Sequence, residues 1–353
     1  MNEPQIIRLL PSGHKIEYRP EDTVLEALER AGYALPNNCR AGACGECKAK
    51  VLDGSFDQGV VMGMALSDVE RAEGYALTCM AKCTSDVLDL EYGTVDALPK
   101  LFPPRKDARF IVTDRVLRTP RILEIRLLPL GENLRFWPGQ YVMIGDEANQ
   151  VPLRQYSIAN APRPDGEIRL LVAHAPSGIT SGWIHEKVEP GLIVRVNGPY
   201  GTFVGDPGVE GPVLCLAAGS GLAPILSLAE AALRRGFRYS TTLVFSARHP
   251  DDVFGSGQTA FWTMRHRRFR FIVCRTGAGE LAPGERRGRI PVVLPELFDN
   301  LEAHSVFIAG PPDFVTDCQK ACEELGARPE LIYRENYYPQ VAAETPPRER
   351  LTT

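Results

Sequence analysis

The sequence predicts a multi-domain protein that combines α+β and α/β architecture. Its 353 residues exceed what a single hydrophobic core usually organises, so two or three domains are expected. Three consecutive regions also differ in pattern: the first mixes short strands with capped helices, the second repeats closely spaced strands, and the third alternates apolar strands with helices. An apolar share of 44% supplies the side chains for these cores.

Residues 1–94 predict a small α+β domain. Two strand-like runs, QIIRLL and HKIEYR, precede a helix whose start is marked by Thr23 with Glu26 three positions on, the pattern of a capping box. Ser67 and Glu70 repeat this pattern before a second short helix. Strands and helices are therefore interleaved in this region.

The limits and folds of the remaining regions are predicted mainly from the spacing of their strand-like runs. The run VDALPKLFPPRKD is rich in proline and lysine and lacks periodicity, which places a linker at 95–106. Over 107–206, the runs RFIVTDRV, ILEIRLL, QYVMIG, EIRLLVA and LIVRV follow at short intervals and predict a small barrel. Over 207–340, the runs VLCLAAG, TTLVFSA, RFIVC, SVFIAG and LIYRE alternate with helical stretches, which predicts a parallel sheet. The tail at 341–353 is expected to be disordered.

Charge and hydropathy argue against nucleic-acid and membrane partners. The formal charge is -4, and acidic and basic residues are interleaved without a basic face. No export signal is predicted, and the longest uncharged run, between Glu210 and Glu230, is broken by Gly-Ser-Gly-Leu-Ala-Pro. We therefore expect a cytoplasmic monomer, and the nine cysteines favour metal or redox chemistry over a disulfide framework.

Three cysteines lie close together in CRAGACGEC, and a fourth follows at a distance. Cys39, Cys44 and Cys47 have the spacing C-x4-C-x2-C, which is typical of plant-type [2Fe-2S] ferredoxins. A zinc site usually has two short C-x2-C knuckles, and the second knuckle is missing. The residues themselves leave two candidates for the fourth ligand, Cys79 and Cys83.

Small residues fill the positions between these cysteines. Gly42 and Gly45 permit unusual backbone torsions, and they allow N–H groups to approach the negatively charged sulfides closely. A zinc loop or reduced structural thiols are the alternative interpretation. The remaining cysteines are expected to be buried small hydrophobic residues: Cys215, Cys274, Cys318 and Cys322.

A second series of motifs begins at PLRQYSIAN, which puts Arg154, Tyr156 and Ser157 on one strand. R-x-Y-S alone is a weak motif, but FWPGQYVMI precedes it, PSGITSGWI and VNGPYG follow it, and AAGSGLAP opens the next region. In this order, the motifs make the chain resemble the single-chain, three-domain reductases of bacterial oxygenase systems, such as the naphthalene dioxygenase reductases and the xylene monooxygenase electron-transfer component.

The resemblance implies a specific fold and ligand set. It implies a β-grasp, plant-type ferredoxin domain at 1–94, a six-stranded antiparallel flavin-binding β-barrel at 107–206, and a parallel α/β nucleotide-binding domain at 207–340. In this family the fourth cluster ligand sits in a C-x-A stretch. Cys79 therefore becomes the expected ligand, and Cys83 does not.

The resemblance also assigns roles at the flavin. Arg154 would pair with the FAD diphosphate, Tyr156 would pack on the isoalloxazine, and Ser157 would hydrogen-bond near N5. Glu335 and Tyr337 match the acidic-x-aromatic ending that packs beside the flavin, so Ser157 and Glu335 are the candidate catalytic residues. The other expected FAD contacts are Gln155, Leu171, Val172, Ala173, Gly178, Ile179, Thr180 and Ser181.

Two departures from the family pattern lie near the diphosphate. The usual Pro-Gly-Gly is Pro176-Ser177-Gly178, and Ala173 stands where a basic residue is common. The helix expected after Gly178 would still offer its N-terminal N–H groups to the diphosphate.

The third region carries the expected nicotinamide nucleotide contacts. In AAGSGLAP the expected diphosphate contacts are Gly219, Ser220, Gly221, Leu222, Ala223 and Pro224. Arg248 follows the next strand, and we expect NADH with NADPH as the alternative, because relatives that use NADH also carry arginine here. In FIAGPPDF, Ala309, Gly310 and Pro311 stand beside the nicotinamide where relatives commonly read Cys-Gly-Pro.

The resemblance finally implies a function. The chain would be an NAD(P)H-dependent iron–sulfur flavoprotein oxidoreductase of aromatic hydrocarbon catabolism. It would pass a hydride from NADH to FAD and single electrons through the [2Fe-2S] cluster to an oxygenase component or a small ferredoxin. Two alternatives remain open: a reductase for a non-oxygenase acceptor such as a deoxysugar dehydratase, and a non-enzymatic iron–sulfur or zinc adaptor.

Overall fold

Three large sheets follow one another along the chain. The computed structural model describes residues 4–95, 97–206 and 208–338. The first and third sheets fall within the predicted regions, and the middle sheet extends beyond its predicted region only at its start, at Arg105. The tail predicted to be disordered, 341–353, lies outside the described residues. In the part of the chain that is described, no helix has both the length and the apolar character needed to cross a bilayer.

The first region is a mixed sheet with a helix packed on it. Its elements are β1 (Ile6–Leu10), β2 (Lys15–Glu17), α1 (Val24–Arg30), β3 (Lys48–Asp53), β4 (Phe56–Asp57), α2 (Asp68–Ala72), β5 (Tyr75–Leu77), β6 (Lys82–Cys83) and β7 (Val87–Glu91). The sheet has the order β2-β1-β7-β3-β5, with β1 parallel to β7, while β4 and β6 pair separately. This is the expected β-grasp arrangement. The predicted capping box is confirmed, because the Thr23 amide donates to Glu26 Oε2 at 2.9 Å and the Glu26 amide donates to Thr23 Oγ1.

The second region is a curled antiparallel sheet. Its elements are β8 (Arg105–Thr119), β9 (Ile122–Pro129), β10 (Tyr141–Asp146), β11 (Val151–Ser157), β12 (Ile168–Ala173), α3 (Ile179–Lys187) and β13 (Ile193–Tyr200). Six strands pair in the order β11-β10-β13-β8-β9-β12, and a bridge between Ile158 and Leu170 brings the two edges together. Inward side chains such as Phe110, Ile125 and Val142 fill the interior. The predicted six-stranded barrel is confirmed.

The third region is a parallel sheet covered by helices. Its elements are β14 (Val213–Ala218), α4 (Leu222–Arg234), β15 (Thr241–Ala247), α5 (Ser256–Arg265), β16 (Phe269–Arg275), β17 (Arg286–Arg287), α6 (Ile290–Leu297), β18 (Ser305–Gly310), α7 (Pro312–Glu324) and β19 (Ile332–Asn336). The order β17-β16-β15-β14-β18-β19 changes direction at β14, so the ligand crevice of such a fold is expected at the carboxyl ends of β14 and β18. The cysteines expected to be structural are buried here: Cys215, Cys274, Cys318 and Cys322.

The first barrel strand begins earlier than its sequence pattern indicates. β8 starts at Arg105, inside the segment predicted as a linker at 95–106. Its first three residues are charged and exposed, and Asp107 adopts a left-handed φ of 56°. The alternating apolar pattern that predicts a strand therefore begins only after the first residues of β8, which already pair with a neighbouring strand.

The rest of the connecting segment is fixed to both neighbouring domains. The amides of Lys100 and Leu101 donate to the Gly32 carbonyl of the first domain at 2.9 and 3.0 Å. From the barrel, Trp137 Nε1 donates to the Lys100 carbonyl at 3.0 Å, and the Trp137 ring stacks on Phe102 with centroids 5.4 Å apart. The first two domains are thus held against each other along this segment.

Candidate functional site

Four cysteine thiols of the first domain lie in two pairs. The thiols of Cys39 and Cys44 are in hydrogen-bonding contact, and this contact lowers the pKa of Cys39 to about 5. Cys47 and Cys79 are in the same kind of contact, which lowers the pKa of Cys47 to about 7. A [2Fe-2S] cluster takes four thiolates, so this donor set fits it. Among the described residues, no three side chains of His, Cys, Asp or Glu gather as a site for a single metal ion.

Cys83 takes no part in these pairs. Its thiol is buried and lies 3.2 Å from the Ser85 carbonyl oxygen, where it donates a hydrogen bond. Burial raises its pKa, so the thiol stays protonated and unreactive. The geometry agrees with the assignment of Cys79, rather than Cys83, as the fourth ligand.

Backbone amides surround the first ligand. The amides of Ala43 and Cys44 each lie 3.3 Å from Cys39 Sγ, and that of Ala41 lies 3.5 Å away. Gly42 makes this turn possible: its φ is 67°, and a Cβ there would lie 2.9 Å from Val61 Cγ1. Negative charge on the sulfur is therefore stabilised by peptide dipoles in a loop that only glycine allows at this point.

One cavity joins all three domains. It has a volume of about 290 Å³. Fourteen residues predicted to bind cofactor line it: Arg154, Gln155, Tyr156, Ser157, Leu171, Ala173, Gly178, Ile179, Thr180, Ser181, Ser220, Ala223, Glu335 and Tyr337. Asn38, Cys39 and Tyr141 also line the cavity. A predicted cluster ligand thus forms part of the wall of the predicted flavin site.

One side of this cavity suits an anionic diphosphate. Among the described residues, the Arg154 guanidinium has a single hydrogen-bond partner, the Leu153 carbonyl at 2.9 Å, so most of its N–H groups remain available. Helix α3 begins at Ile179 and directs its first N–H groups at the same wall. Ser177 adopts φ of 65°, the left-handed torsion that the usual glycine would take at this position. The serine therefore keeps the turn that precedes the helix.

The lining of the cavity also includes three hydrogen-bonded side chains. Ser157 Oγ lies 2.9 Å from the Tyr337 hydroxyl and 3.3 Å from Glu335 Oε2, and the Tyr337 hydroxyl donates to Glu335 Oε2 at 3.3 Å. Burial raises the pKa of the Glu335 carboxyl to about 8, because the loss of water outweighs the hydrogen bonds from Ser157 and Tyr337. A neutral carboxylic acid next to a hydroxyl can hold a proton at this point of the cavity.

The turn after β14 packs directly on the end of β18. Gly219 has φ of 56°, and a Cβ at Gly221 would meet the backbone of Ala309 and Gly310. Ala309 lies opposite Glu335 in the β18–β19 register and is fully buried. The predicted nicotinamide residues therefore converge beside Glu335.

Some predicted contacts do not reach the cavity. The side chains of Val172 and Leu222 are fully buried in hydrophobic cores, and the Val172 carbonyl already lies 2.9 Å from His185 Nε2. Arg248 is exposed beyond the end of β15. None of these three side chains lines the cavity. Six further predicted contacts are also absent from its lining: Gly219, Gly221, Pro224, Ala309, Gly310 and Pro311.

The contacts that join the domains were not predicted from the sequence, although Gln155 was predicted as a cofactor contact. Gln155 Nε2 donates to the Asn38 carbonyl at 2.5 Å, Asn38 Nδ2 donates to the Asn336 carbonyl at 2.5 Å, and the Tyr141 hydroxyl donates to Asn37 Oδ1 at 2.9 Å. The sequence feature that could have indicated these contacts is the Asn-Asn pair directly before Cys39. A loop without a neighbouring domain would not need two amide side chains there.

A buried ion pair reinforces the same interface. Arg40, the residue after Cys39, binds Glu29 with both Nη atoms at 2.6 and 2.9 Å, and its guanidinium lies 4.4 Å from the centre of the Tyr200 ring in the barrel.

A second buried arginine, Arg275 at the end of β16, has Nε and Nη2 without a hydrogen-bond partner among the described residues. Neither residue has a local sequence pattern that indicates its role.

Comparison with known proteins covers nearly the whole chain. Residues 7–84 match the family model of a 2Fe-2S iron–sulfur cluster binding domain, residues 108–204 that of an oxidoreductase FAD-binding domain, and residues 215–320 that of an oxidoreductase NAD-binding domain. The three matches assign one cofactor type to each region of the fold.

Full-length relatives share the same organisation. The reductase subunit of an aromatic O-demethylase from Amycolatopsis sp. (strain ATCC 39116 / 75iv2) is 33% identical over 334 residues, or 93% of this chain and 97% of that protein. Reductase component 1 of terephthalate 1,2-dioxygenase from Comamonas sp. is 30% identical over 93% of this chain and 94% of that protein. The crystal structure of Amycolatopsis cytochrome P450 reductase GcoB has a TM-score of 0.86 at 30% identity, covering 95% of this chain and 99% of that one.

The two distant cysteines give the first prediction. Cys79→Ser is expected to abolish the [2Fe-2S] absorption bands, because it removes one of the four paired thiols, while Cys83→Ser is expected to keep them. Visible absorption and iron content of the two purified variants measure the difference. A normal cluster in the Cys79 variant, or its loss in the Cys83 variant, would reverse the ligand assignment.

The raised pKa of Glu335 gives the second prediction. Below pH 4.5, the ordinary value, the carboxyl is protonated in both the folded and the unfolded chain, so it has no effect on pH dependence. As the pH rises towards about 8, the unfolded chain loses this proton while the folded protein keeps it, so stability falls. Glu335→Gln removes this loss, and its melting temperature is expected to rise relative to wild type between pH 5 and 8.

Thermal melting of the two holoproteins across that range measures the effect. Glu330→Gln, at an exposed glutamate, serves as the control and should show no comparable trend. A difference between wild type and Glu335→Gln that stays constant with pH would contradict the raised pKa.

Proposed function

The chain belongs to the family of three-domain reductase components of oxygenase systems, and from this premise we propose that it carries electrons from NADH to an oxygenase component or to a small ferredoxin. The observation that carries the proposal is the shared wall of the cavity, which Cys39 lines together with Ser157 and Glu335. The flavin site and the cluster loop are therefore neighbours within one chain.

The chain's own residues hold the redox groups in fixed positions. When bound, FAD accepts both electrons of a hydride together and releases them singly, which matches a two-electron donor to a one-electron cluster. Cys39, Cys44, Cys47 and Cys79 would bind the cluster through their thiolates. Arg154, with the first amides of α3, would bind the FAD diphosphate.

The polar corner of the cavity would position the flavin and hold a proton. Because the pKa of Glu335 is raised to about 8, its carboxyl is largely protonated at neutral pH, while its Oε2 accepts hydrogen bonds from Ser157 and Tyr337. Ser157 is then held between Glu335 and Tyr337 and has a lone pair or a proton available towards the cavity. We assign Ser157 the role of orienting the ring and Glu335 that of keeping a proton beside it without adding negative charge.

We further propose NADH as the donor, with NADPH as the alternative. The coenzyme would lie along Gly219–Gly221 and the Ala309–Gly310 turn, which the fold brings together. Arg248 is exposed, and Arg275 is partly neutralised by Glu285 at 3.3 Å, so neither forms a dedicated pair for a 2′-phosphate.

The proposal also covers the electron acceptor, the cellular compartment and the limits of the three domains. The relatives named above serve an O-demethylase and a dioxygenase, which favours an oxygenase over a deoxysugar dehydratase as the acceptor system. All nine cysteines are free thiols, which suits a monomer in the reducing cytoplasm. We propose domain limits at 1–94, 107–206 and 207–340, with the first barrel strand extending the second domain back to Arg105.

The direct test uses the full-length holoprotein with two electron acceptors. We expect flavin and [2Fe-2S] bands together in the visible spectrum, and NADH-driven reduction of both ferricyanide and cytochrome c. Cys79→Ser is expected to keep ferricyanide reduction from the flavin and to lose most cytochrome c reduction. A colourless zinc protein would support the adaptor alternative, and equal cytochrome c rates in the variant would show that electrons do not leave through the cluster.

The Arg40–Glu29 pair gives a further prediction. Arg40→Lys keeps the positive charge but loses the bidentate geometry and the stacking on Tyr200, so the cluster loop is expected to sit less firmly on the barrel. Stopped-flow mixing with NADH should show an unchanged rate of flavin reduction and a several-fold slower reduction of the cluster.

Arg30→Lys is the matched control. Arg30, the last residue of α1, pairs with Asp22 and donates to the Glu17 carbonyl, both in the first domain. Its cluster-reduction rate should equal that of wild type. Equal rates for Arg40→Lys and Arg30→Lys would contradict the positioning role of Arg40.

A further inference from the structure

Four exposed apolar side chains lie close together in the chain: Val60, Met62 and Met64 between β4 and α2, and Val69 within α2. We name them the valine–methionine patch. Val60 is 87% exposed, Met62 56%, Met64 88% and Val69 68%. Three of them fall within five consecutive residues that form neither helix nor strand. Exposed apolar groups concentrated in this way indicate a binding surface, whereas single exposed apolar residues do not.

The segment that carries the patch packs on the cluster loop. The Met62 amide donates to the Gly42 carbonyl at 3.0 Å, and Val61 Cγ1 lies 2.9 Å from the position of a Cβ on Gly42. Further along the segment, the Ala65 carbonyl lies 3.1 Å from the corresponding position on Gly45. The patch is therefore one peptide layer away from the predicted cluster ligands.

The two parts of the cluster loop face different surroundings. Asn38 and Cys39 line the flavin cavity and contact the barrel and β19. Gly42 and Gly45 lie under the segment of the patch. Electrons that enter at the first surface thus have a short route out at the second.

We propose that the valine–methionine patch is the docking surface for the one-electron acceptor protein, which presents an apolar centre with a basic rim. This inference rests on the proposed function, and it names the surface through which electrons would leave the protein. Electron transfer weakens steeply with distance, so the acceptor must dock beside the cluster, and the cavity side is already occupied by the barrel. Methionine side chains are flexible and common in the centres of protein interfaces, which suits an encounter that must form and dissociate quickly.

The charges next to the patch favour a basic partner. Three exposed acids, Asp57, Asp68 and Glu73, flank the patch in the chain. The exposed bases near them are Arg71 in the same stretch and Lys82, opposite Asp57 in the β4–β6 pair, so acids outnumber bases at this rim. A partner with lysines or arginines around an apolar centre would complement this rim and associate faster at low salt. A second copy of this chain would instead bring like charges together across a symmetric contact.

The experiment compares two matched variants of the holoprotein with cytochrome c as the basic one-electron probe. Val60→Ser/Met64→Ser removes the two most exposed members of the patch. Met264→Ser is the control, since Met264 is 81% exposed on α5, outside the cluster domain. Superoxide dismutase is added so that only direct reduction is counted, and ferricyanide reduction measures the flavin alone.

We expect the double variant to raise the KM for cytochrome c about tenfold, with normal cluster bands and an unchanged ferricyanide rate, and we expect Met264→Ser to behave as wild type. Higher salt should raise the wild-type KM as well. An equal KM in both variants would overturn the docking proposal while leaving the proposed function intact. A wild-type dimer that the double variant dissociates, seen by sedimentation, would assign the patch to self-association and also overturn it. A wild-type holoprotein that reduces ferricyanide but never cytochrome c would overturn the proposed function itself.

Discussion

The contact between the cluster loop and the flavin barrel is the constraint on which the rest of the arrangement depends. Arg40 is bound to Glu29 on one side and stacked on Tyr200 on the other, and it follows Cys39 directly in the chain. Both partners of the pair are largely withdrawn from water, and losing one member of such a buried pair typically costs about 3–5 kcal/mol. The pair therefore fixes where the first ligand lies relative to the barrel, in addition to holding two domains together.

The position of the third domain follows from the same contact. The Asn336 carbonyl at the end of β19 accepts from Asn38, and the next residue, Tyr337, closes the polar corner around Ser157. One short stretch of β19 thus contacts the cluster loop and completes the flavin cavity. A two-electron site and a one-electron site can be kept adjacent in this way without a mobile carrier between them.

The sequence predicts the parts of this protein whose chemistry is local. Cys39, Cys44 and Cys47 must be closely spaced to share one cluster, and the left-handed turn at Gly42 needs a glycine, so both are visible in a short segment. Ser177 replaces a family glycine, yet it keeps the left-handed torsion, which residue type alone does not indicate. Asn38, Tyr141 and Arg40 could not be predicted, because their partners lie far away in the sequence and no periodicity links them. Val172 and Leu222 show the converse: both stand in motif positions, but their side chains fill cores.

The central claim is that electrons pass from the flavin to the cluster within one chain, and the dependence of cluster reduction on protein concentration tests it most directly. Anaerobic holoprotein is mixed with saturating NADH in a stopped-flow spectrometer, and loss of the [2Fe-2S] absorbance is followed over a wide range of protein concentration. The structure predicts a rate that does not change with protein concentration, because Cys39 already lines the flavin cavity. A rate that rises in proportion to protein concentration would mean that the cluster of one molecule is reduced by the flavin of another, and would contradict this account.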